Sequence, residues 1–226
     1  MLYALAHPAA LGILLGSYVV GLTLHGWVQS LVADRVGDRR PRLEQRLRPD
    51  PRHHLDPFGV VGAAIAGLGW ARPVELLDRR RRGAACAVAL SGPAVNLFLG
   101  VVLLLAWRSA YGPGGFGGGA AYTLQHGVPL GAGALSTSLL LAGASQLYLG
   151  TLSLVPLPPL DGGRLLFALA PRTQGWQKAQ YTLVEQNIGL AALLALLVIP
   201  LGGPLPLLPS LLDTVLSPVL KLLCGG

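Results

Sequence analysis

The chain has 226 residues and is 52% hydrophobic but only 12% charged, with a net charge of +7 and a mean hydropathy of +0.57. A typical soluble domain is about 25% charged. No Asp, Glu, Lys or Arg lies between Pro8 and Ala33, Gly83 and Trp107, Ser109 and Leu160, or Gln186 and Leu212. These gaps exclude a soluble globule and a disordered chain, because a helix needs about 20 apolar residues to cross the hydrocarbon core.

The first apolar run, from about Pro8 to Val32, reads as a retained span. It exits into a basic loop with seven arginines between residues 35 and 52. Pro57 to Trp70 is apolar but short, which suits a re-entrant or interfacial segment. A second basic cluster, Arg79 to Arg82, follows. A second span runs from about Ala84 to Trp107. After it comes an uncharged, glycine-rich stretch, Ser109 to Gly133, expected to be a flexible loop. A third span covers about Leu135 to Val155. It ends in Pro156-Leu157-Pro158-Pro159-Leu160-Asp161-Gly162-Gly163-Arg164, where the prolines forbid a regular helix. A fourth span covers about Leu183 to Pro200, and Pro204 to Leu223 is either a fifth span or a surface helix.

The expected fold is therefore an all-α, polytopic integral membrane protein of one domain, residues 1–226. It has four to five transmembrane helices and a re-entrant segment. Basic residues concentrate in cytoplasmic loops. That rule places the N-terminus outside, and loops 35–56 and 72–82 and the Asp161 turn inside. The arginines read as topology determinants and lack the aromatic interleaving of a nucleic-acid surface. Cys86 and Cys224 form no CxxC pair, so neither a disulfide framework nor a cysteine zinc site is supported.

Polar groups inside spans mark functional candidates. His25 and Gln29 are four residues apart and share a helix face, the spacing by which a helix presents two ligands to one metal. The plain alternative is that each hydrogen-bonds a neighbouring helix. Asp161 follows a proline-broken apolar run, where a carboxylate either lines a cavity or caps the next helix with Arg164 neutralising it. Asn96, inside the second span, serves as helix–helix glue or orients a bound peptide backbone.

Taken in order, six segments, the first two within one stretch from Leu24 to Asp38, resemble the site-2 protease family of intramembrane zinc metalloproteases, in its small bacterial branch without PDZ domains. His25-Gly26-Trp27-Val28-Gln29 stands where that family has His-Glu-x-x-His. Ala33-Asp34-Arg35-Val36-Gly37-Asp38 resembles its Ala-Asp-x-x-Gly-Asp exit. His54-Leu55-Asp56-Pro57-Phe58-Gly59 and Gly69-Trp70-Ala71-Arg72-Pro73-Val74 resemble its His-x-Asp-Pro-x-Gly loop and Gly-Trp-Ala-Lys-Pro-Val turn. Gly92-Pro93-Ala94-Val95-Asn96 resembles Gly-Pro-x-x-Asn, and Pro156 to Gly162 resembles Pro-x-Pro-Pro-Leu-Asp-Gly.

The resemblance implies a zinc ion held by two histidines and a distant Asp, with a water in the fourth position and the Glu as general base. In this chain the ligand positions are His25, Gln29 and Asp161. The base position is Gly26, and Ser153 stands where the family has an Asn before its final motif. The substrate-binding positions implied are Asn96 and Ser153.

Glycine cannot move a proton, and a neutral amide oxygen is a poor zinc ligand beside an imidazole. Asp34, the next carboxylate along the helix, is about 12 Å further on. The expectation is a pseudoprotease that binds transmembrane segments of other proteins in the bilayer, with zinc a possible cofactor. The alternative is an active zinc protease with a rearranged site. His54 would replace the missing ligand, and Glu75 or Asp56 would act as base. A transporter or channel also uses broken helices, but the short chain without an internal repeat weighs against it.

Overall fold

A computed structural model describes residues 8–76, 82–113, 134–200 and 206–224. Among them the chain is all-α, as expected, without strands. The first span is α1 (Pro8–Arg35). Three short helices follow: α2 (Arg40–Leu43), α3 (Pro51–His54) and α4 (Pro57–Ala66). Next come the long α5 (Arg82–Tyr111), α6 (Ala134–Ser153) and α7 (Asp161–Leu169). The chain ends with α8 (Gln174–Gln180), which runs into a π-helical turn at Tyr181–Glu185, then α9 (Ile188–Val198) and α10 (Leu207–Cys224). The glycine-rich stretch expected to be a loop lies, beyond Pro113, outside the described residues.

Three helices are long and apolar enough to cross a membrane: α1, α5 and α10. The count becomes four if the bent pair around Asn187 forms one span. Two expectations change in detail. The third expected span does form a helix, α6, but it carries buried Ser136, Thr137, Ser145, Gln146 and Ser153. It sits against α1 and α5 inside the bundle, where polar side chains find partners instead of lipid. The fourth expected span is not continuous from Leu183. The helical axis turns by 63° between Gln174–Glu185 and Ile188–Val198. At the break Asn187 adopts φ 56°, a left-handed conformation that Asn tolerates better than most residues. From Leu207 on, the last apolar stretch is one helix despite Pro209 and Pro218.

The short segment after the first basic loop is built as its sequence dictates. Asp56 caps α4 by accepting from the Gly59 amide at 2.8 Å, Pro57 opens the helix, and Gly67 closes it at φ 78°. The small face of α4 (Gly59, Gly62, Ala63, Ala66) is buried, and a Cβ on Gly62 would stand 3.0 Å from the Trp70 ring. Its other face exposes Phe58, Val61 and Ile65. The chain then returns: Leu55 and Ala71 form an isolated antiparallel bridge, and the Arg72 amide donates to the His54 carbonyl at 2.8 Å. Entry and exit thus lie side by side, a geometry that suits a re-entrant segment.

Helices α5 and α6 approach closely where both carry glycine. A Cβ on Gly100 would meet Leu147 at 2.8 Å and the Gly143 carbonyl at 2.9 Å. Because the second obstacle is backbone, Gly100→Val is expected to cost about 1–3 kcal/mol, read as a lower unfolding midpoint in detergent. The core around this contact joins Leu14, Leu22, Leu104, Leu141 and Tyr148. Phe98, Leu105, Val215 and Leu222 point outward, the surface a bilayer would cover.

Candidate active site

The site forms where α1, α5 and the first turn of α7 meet. His25 is 1% exposed and Asp161 7%. His25 Nε2 lies 2.7 Å from Asp161 Oδ2. Gln29, one turn further along α1, donates its amide Nε2 to Asp161 Oδ1 at 2.7 Å. Arg164 donates to the same oxygen at 3.3 Å. The proline-rich turn between α6 and α7 delivers the carboxylate to this point. Gly162 and Gly163 allow it, because a Cβ on either would run into the backbone of residues 154–158. Asp161 is the first residue of α7 rather than its cap, since Leu160 holds the cap position.

Asn96 contributes from α5. Its side chain lies 3.3 Å from His25 Nδ1, on the ring edge away from Asp161. A carboxylate only accepts, so a neutral His25 carries its proton on Nε2 and accepts the Asn96 amide at Nδ1. Gly92, one turn before Asn96, leaves room for the imidazole; any side chain there would collide with it.

His54 is fully buried and donates from Nε2 to the Arg48 carbonyl at 2.9 Å, leaving Nδ1 without a partner. Its ring packs on the bare backbone of Gly26: a Cβ there would lie 2.8 Å from Nδ1 and 3.1 Å from the His54 Cβ. Burial, aided by the nearby Arg46 charge, pushes the His54 pKa below its ordinary value, against the pull of the Arg48 carbonyl. Between that lowered value and the unfolded value of about 6.5, the unfolded chain binds a proton that the folded chain refuses. Stability is therefore expected to fall as pH drops below about 6.5. The loss should flatten in His54→Gln, as read by unfolding midpoints between neutral and acidic pH.

The remaining expected residues stand elsewhere. The Ser153 hydroxyl donates to the Leu149 carbonyl of its own helix. Glu75 is exposed and pairs with Arg40 at 3.3 Å, and Asp56 is engaged as the α4 cap. Asp34 pairs with Arg42, with Nη2 to Oδ2 at 2.9 Å. Sequence reasoning missed Arg46, whose guanidinium is 3% exposed and donates to the carbonyls of Arg72 at 2.7 Å and Pro73 at 2.9 Å. It ties the basic loop to the chain returning from α4. One arginine among seven carries no mark of this in the sequence.

Residues 46–196 match the model of peptidase family M50, a span that holds His54, Asn96, Ser153 and Asp161 and begins after α1. The chain belongs to peptidase family M50, the site-2 protease family. This M50 chain is 32% identical over 209 residues to a Bacillus subtilis protein provisionally named zinc metalloprotease YwhC, covering 88% of this chain and 87% of that one. It is 30% identical over 182 residues to a Mycobacterium tuberculosis protein provisionally named zinc metalloprotease Rip2, covering 75% of this chain and 62% of Rip2. The Rip2 of Mycolicibacterium smegmatis is 27% identical over 170 residues, covering 72% of this chain and 59% of that relative. No solved structure matches.

Membership in M50 implies zinc. Zinc in a catalytic site takes three protein donors and a water. Among the described residues no three of His, Cys, Asp or Glu gather into a metal-binding group. At the family's three ligand positions, Gln29 turns its amide nitrogen, which has no lone pair to give, toward Asp161. Both oxygens of that carboxylate already accept hydrogen bonds. As arranged here the set offers two strong donors, His25 and Asp161, where a catalytic zinc takes three, and the Asp161 carboxylate is engaged by His25, Gln29 and Arg164.

Proposed function

We propose that this chain is a non-cleaving M50 protein, a pseudoprotease that keeps the family's membrane fold to hold transmembrane segments of other proteins. The observation that carries this reading is the hydrogen-bonded set of His25, Asp161, Gln29 and Asn96, with Gly26 at the base position. A base contributes about 10²–10⁴-fold to such a hydrolysis, and a glycine supplies none of it. Partner binding rests on the family's intramembrane setting. The cytoplasmic placement of both basic loops, with the N-terminus outside, rests on their arginines. It is tested by labelling single cysteines from each side of sealed vesicles.

The second reading is an active zinc metalloprotease with a rearranged site. It draws on the names of YwhC and Rip2 and on the unpartnered His54 Nδ1 beside Gly26. Metal analysis of the purified protein, run beside a cleavage assay on single-span membrane proteins, separates the two. The first reading expects zinc far below stoichiometric and no cleavage. About one zinc per chain, with cleavage abolished in His25→Ala and Asp161→Asn, would establish the second.

A further inference from the structure

Helix α4 is half a span with a charged mouth. Its 10 residues rise about 15 Å, against a hydrocarbon core of about 30 Å. One face is buried. On the other, Phe58, Val61 and Ile65 form an exposed stripe at helical spacing, the side that acyl chains meet. The Leu55–Ala71 bridge marks the mouth, where the segment leaves the basic loop and comes back to it.

Arginines gather at this mouth. Arg52 lies one helical turn before Leu55, and Arg72 directly follows Ala71. The Arg72 amide donates to the His54 carbonyl at 2.8 Å, and His54 Nε2 donates to the Arg48 carbonyl at 2.9 Å. The backbones of Arg48, Arg52 and Arg72 are thus held around one histidine, and their side chains are exposed. Buried Arg46 adds a further charge, fixed on the carbonyls of Arg72 and Pro73 with its Nε unpartnered.

The acidic groups of this region are already engaged. Asp50 caps α3 by accepting from the Arg52 amide at 3.0 Å, and Asp56 caps α4. Glu44 stands 3.8 Å from Arg46, while Asp34 and Glu75 pair with Arg42 and Arg40. Among the described residues, no carboxylate pairs with Arg48, Arg52 or Arg72. The bias of arginine toward one side of a membrane depends on number. It does not require three unpaired guanidinium groups around the base of an apolar half-helix. A guanidinium presents paired donors that match a phosphate.

We propose that the mouth of α4 binds one anionic phospholipid, with its phosphate held by Arg48, Arg52 and Arg72 and an acyl chain lying along Phe58, Val61 and Ile65. A lipid joins the two chemistries that the mouth and the stripe offer; a free phosphate would use the arginines and leave the stripe bare. Occupied, the site braces the loop that sets His54 against Gly26.

Native mass spectrometry of the full chain in detergent tests this, with phosphatidylglycerol and phosphatidylcholine as probes. One phosphatidylglycerol per chain is expected to be retained well above phosphatidylcholine. Each arginine beside an anionic headgroup is worth about fivefold, so combining Arg48→Gln, Arg52→Gln and Arg72→Gln should weaken retention by more than about tenfold. The control combines Arg35→Gln, Arg39→Gln and Arg172→Gln, which remove the same charge from other elements and should leave retention nearly unchanged. All of these side chains are exposed, and unfolding midpoints verify that both variants fold. Equal losses in the two variants would reduce the patch to diffuse charge and overturn the site. Equal retention of the two lipids by the parent protein would overturn it as well. Release of the lipid by inorganic phosphate or glycerophosphoglycerol at matched ionic strength would overturn the acyl contact with α4, because both carry the charge without the chains.

Discussion

Replacing Gln29 with histidine is expected to give the protein a zinc site. The change supplies a third nitrogen or oxygen donor one helical turn from His25 and across from Asp161, and purified Gln29→His should carry about one zinc per chain where the parent carries far less. The donor also disappears from the amide contact with Asp161, so the carboxylate is released to face the metal. Gly26→Glu alone is expected to leave metal content unchanged, because a carboxylate at the base position is no ligand. It also has a steric consequence: the new Cβ would meet His54 at 2.8 Å, so the imidazole must move aside. Cleavage is expected only when both changes are combined, since the metal and the base do different work. A Gln29→His protein that folds yet stays free of zinc would show that the His25–Asp161 geometry itself has drifted from a ligand set.

The second large effect concerns Asp161 as a structural hub. Its carboxylate accepts from His25, Gln29 and Arg164, three groups from two separate parts of the chain. Asp161→Ala strands these donors inside the protein, and removing one member of a buried charged network costs about 3–5 kcal/mol. Thermal unfolding in detergent should show a large drop in midpoint. Arg164 is partly exposed, so Arg164→Ala should change stability by only about 0–1 kcal/mol. If the two variants unfolded alike, the carboxylate would not be the hub that its contacts describe.

Much of the scaffold was legible from local chemistry. Charge-free runs announced α1 and α5, because lipid excludes charge along a whole span. The short apolar segment was read from Pro57 to Trp70; that Asp56 caps α4 and that Gly67 ends it in a left-handed conformation came from the structure. The bend at Asn187 left no such mark, since α8 and α9 are each reasonable helices and only their packing sets the angle between them.

The site was legible in part, and unevenly. The resemblance named His25, Gln29 and Asp161 together, and the structure brings them together across more than 130 residues. The residues themselves paired Arg164 with Asp161, as the structure does, but nothing assigned Asn96 to the His25 ring or set His54 against Gly26. A histidine one residue from an Asp-Pro turn looks like a loop residue until the neighbouring helix is seen to lack a side chain. Ser17 and Gln146, 129 residues apart, carry no sequence signal that they bond. Both read as ordinary polar interruptions of apolar helices.

The sequence by itself determined that this chain lives in a membrane, that it has the M50 order of motifs, and that residue 26 has no proton to move. Composition, spacing and side-chain chemistry suffice for such statements because each is local. Only the tertiary structure decided what fills the space left by the missing groups. There an imidazole lies against a glycine, and an amide turns its nitrogen to a carboxylate. Those outcomes depend on which surfaces of distant helices meet, and that is settled by packing rather than by any stretch of chain alone.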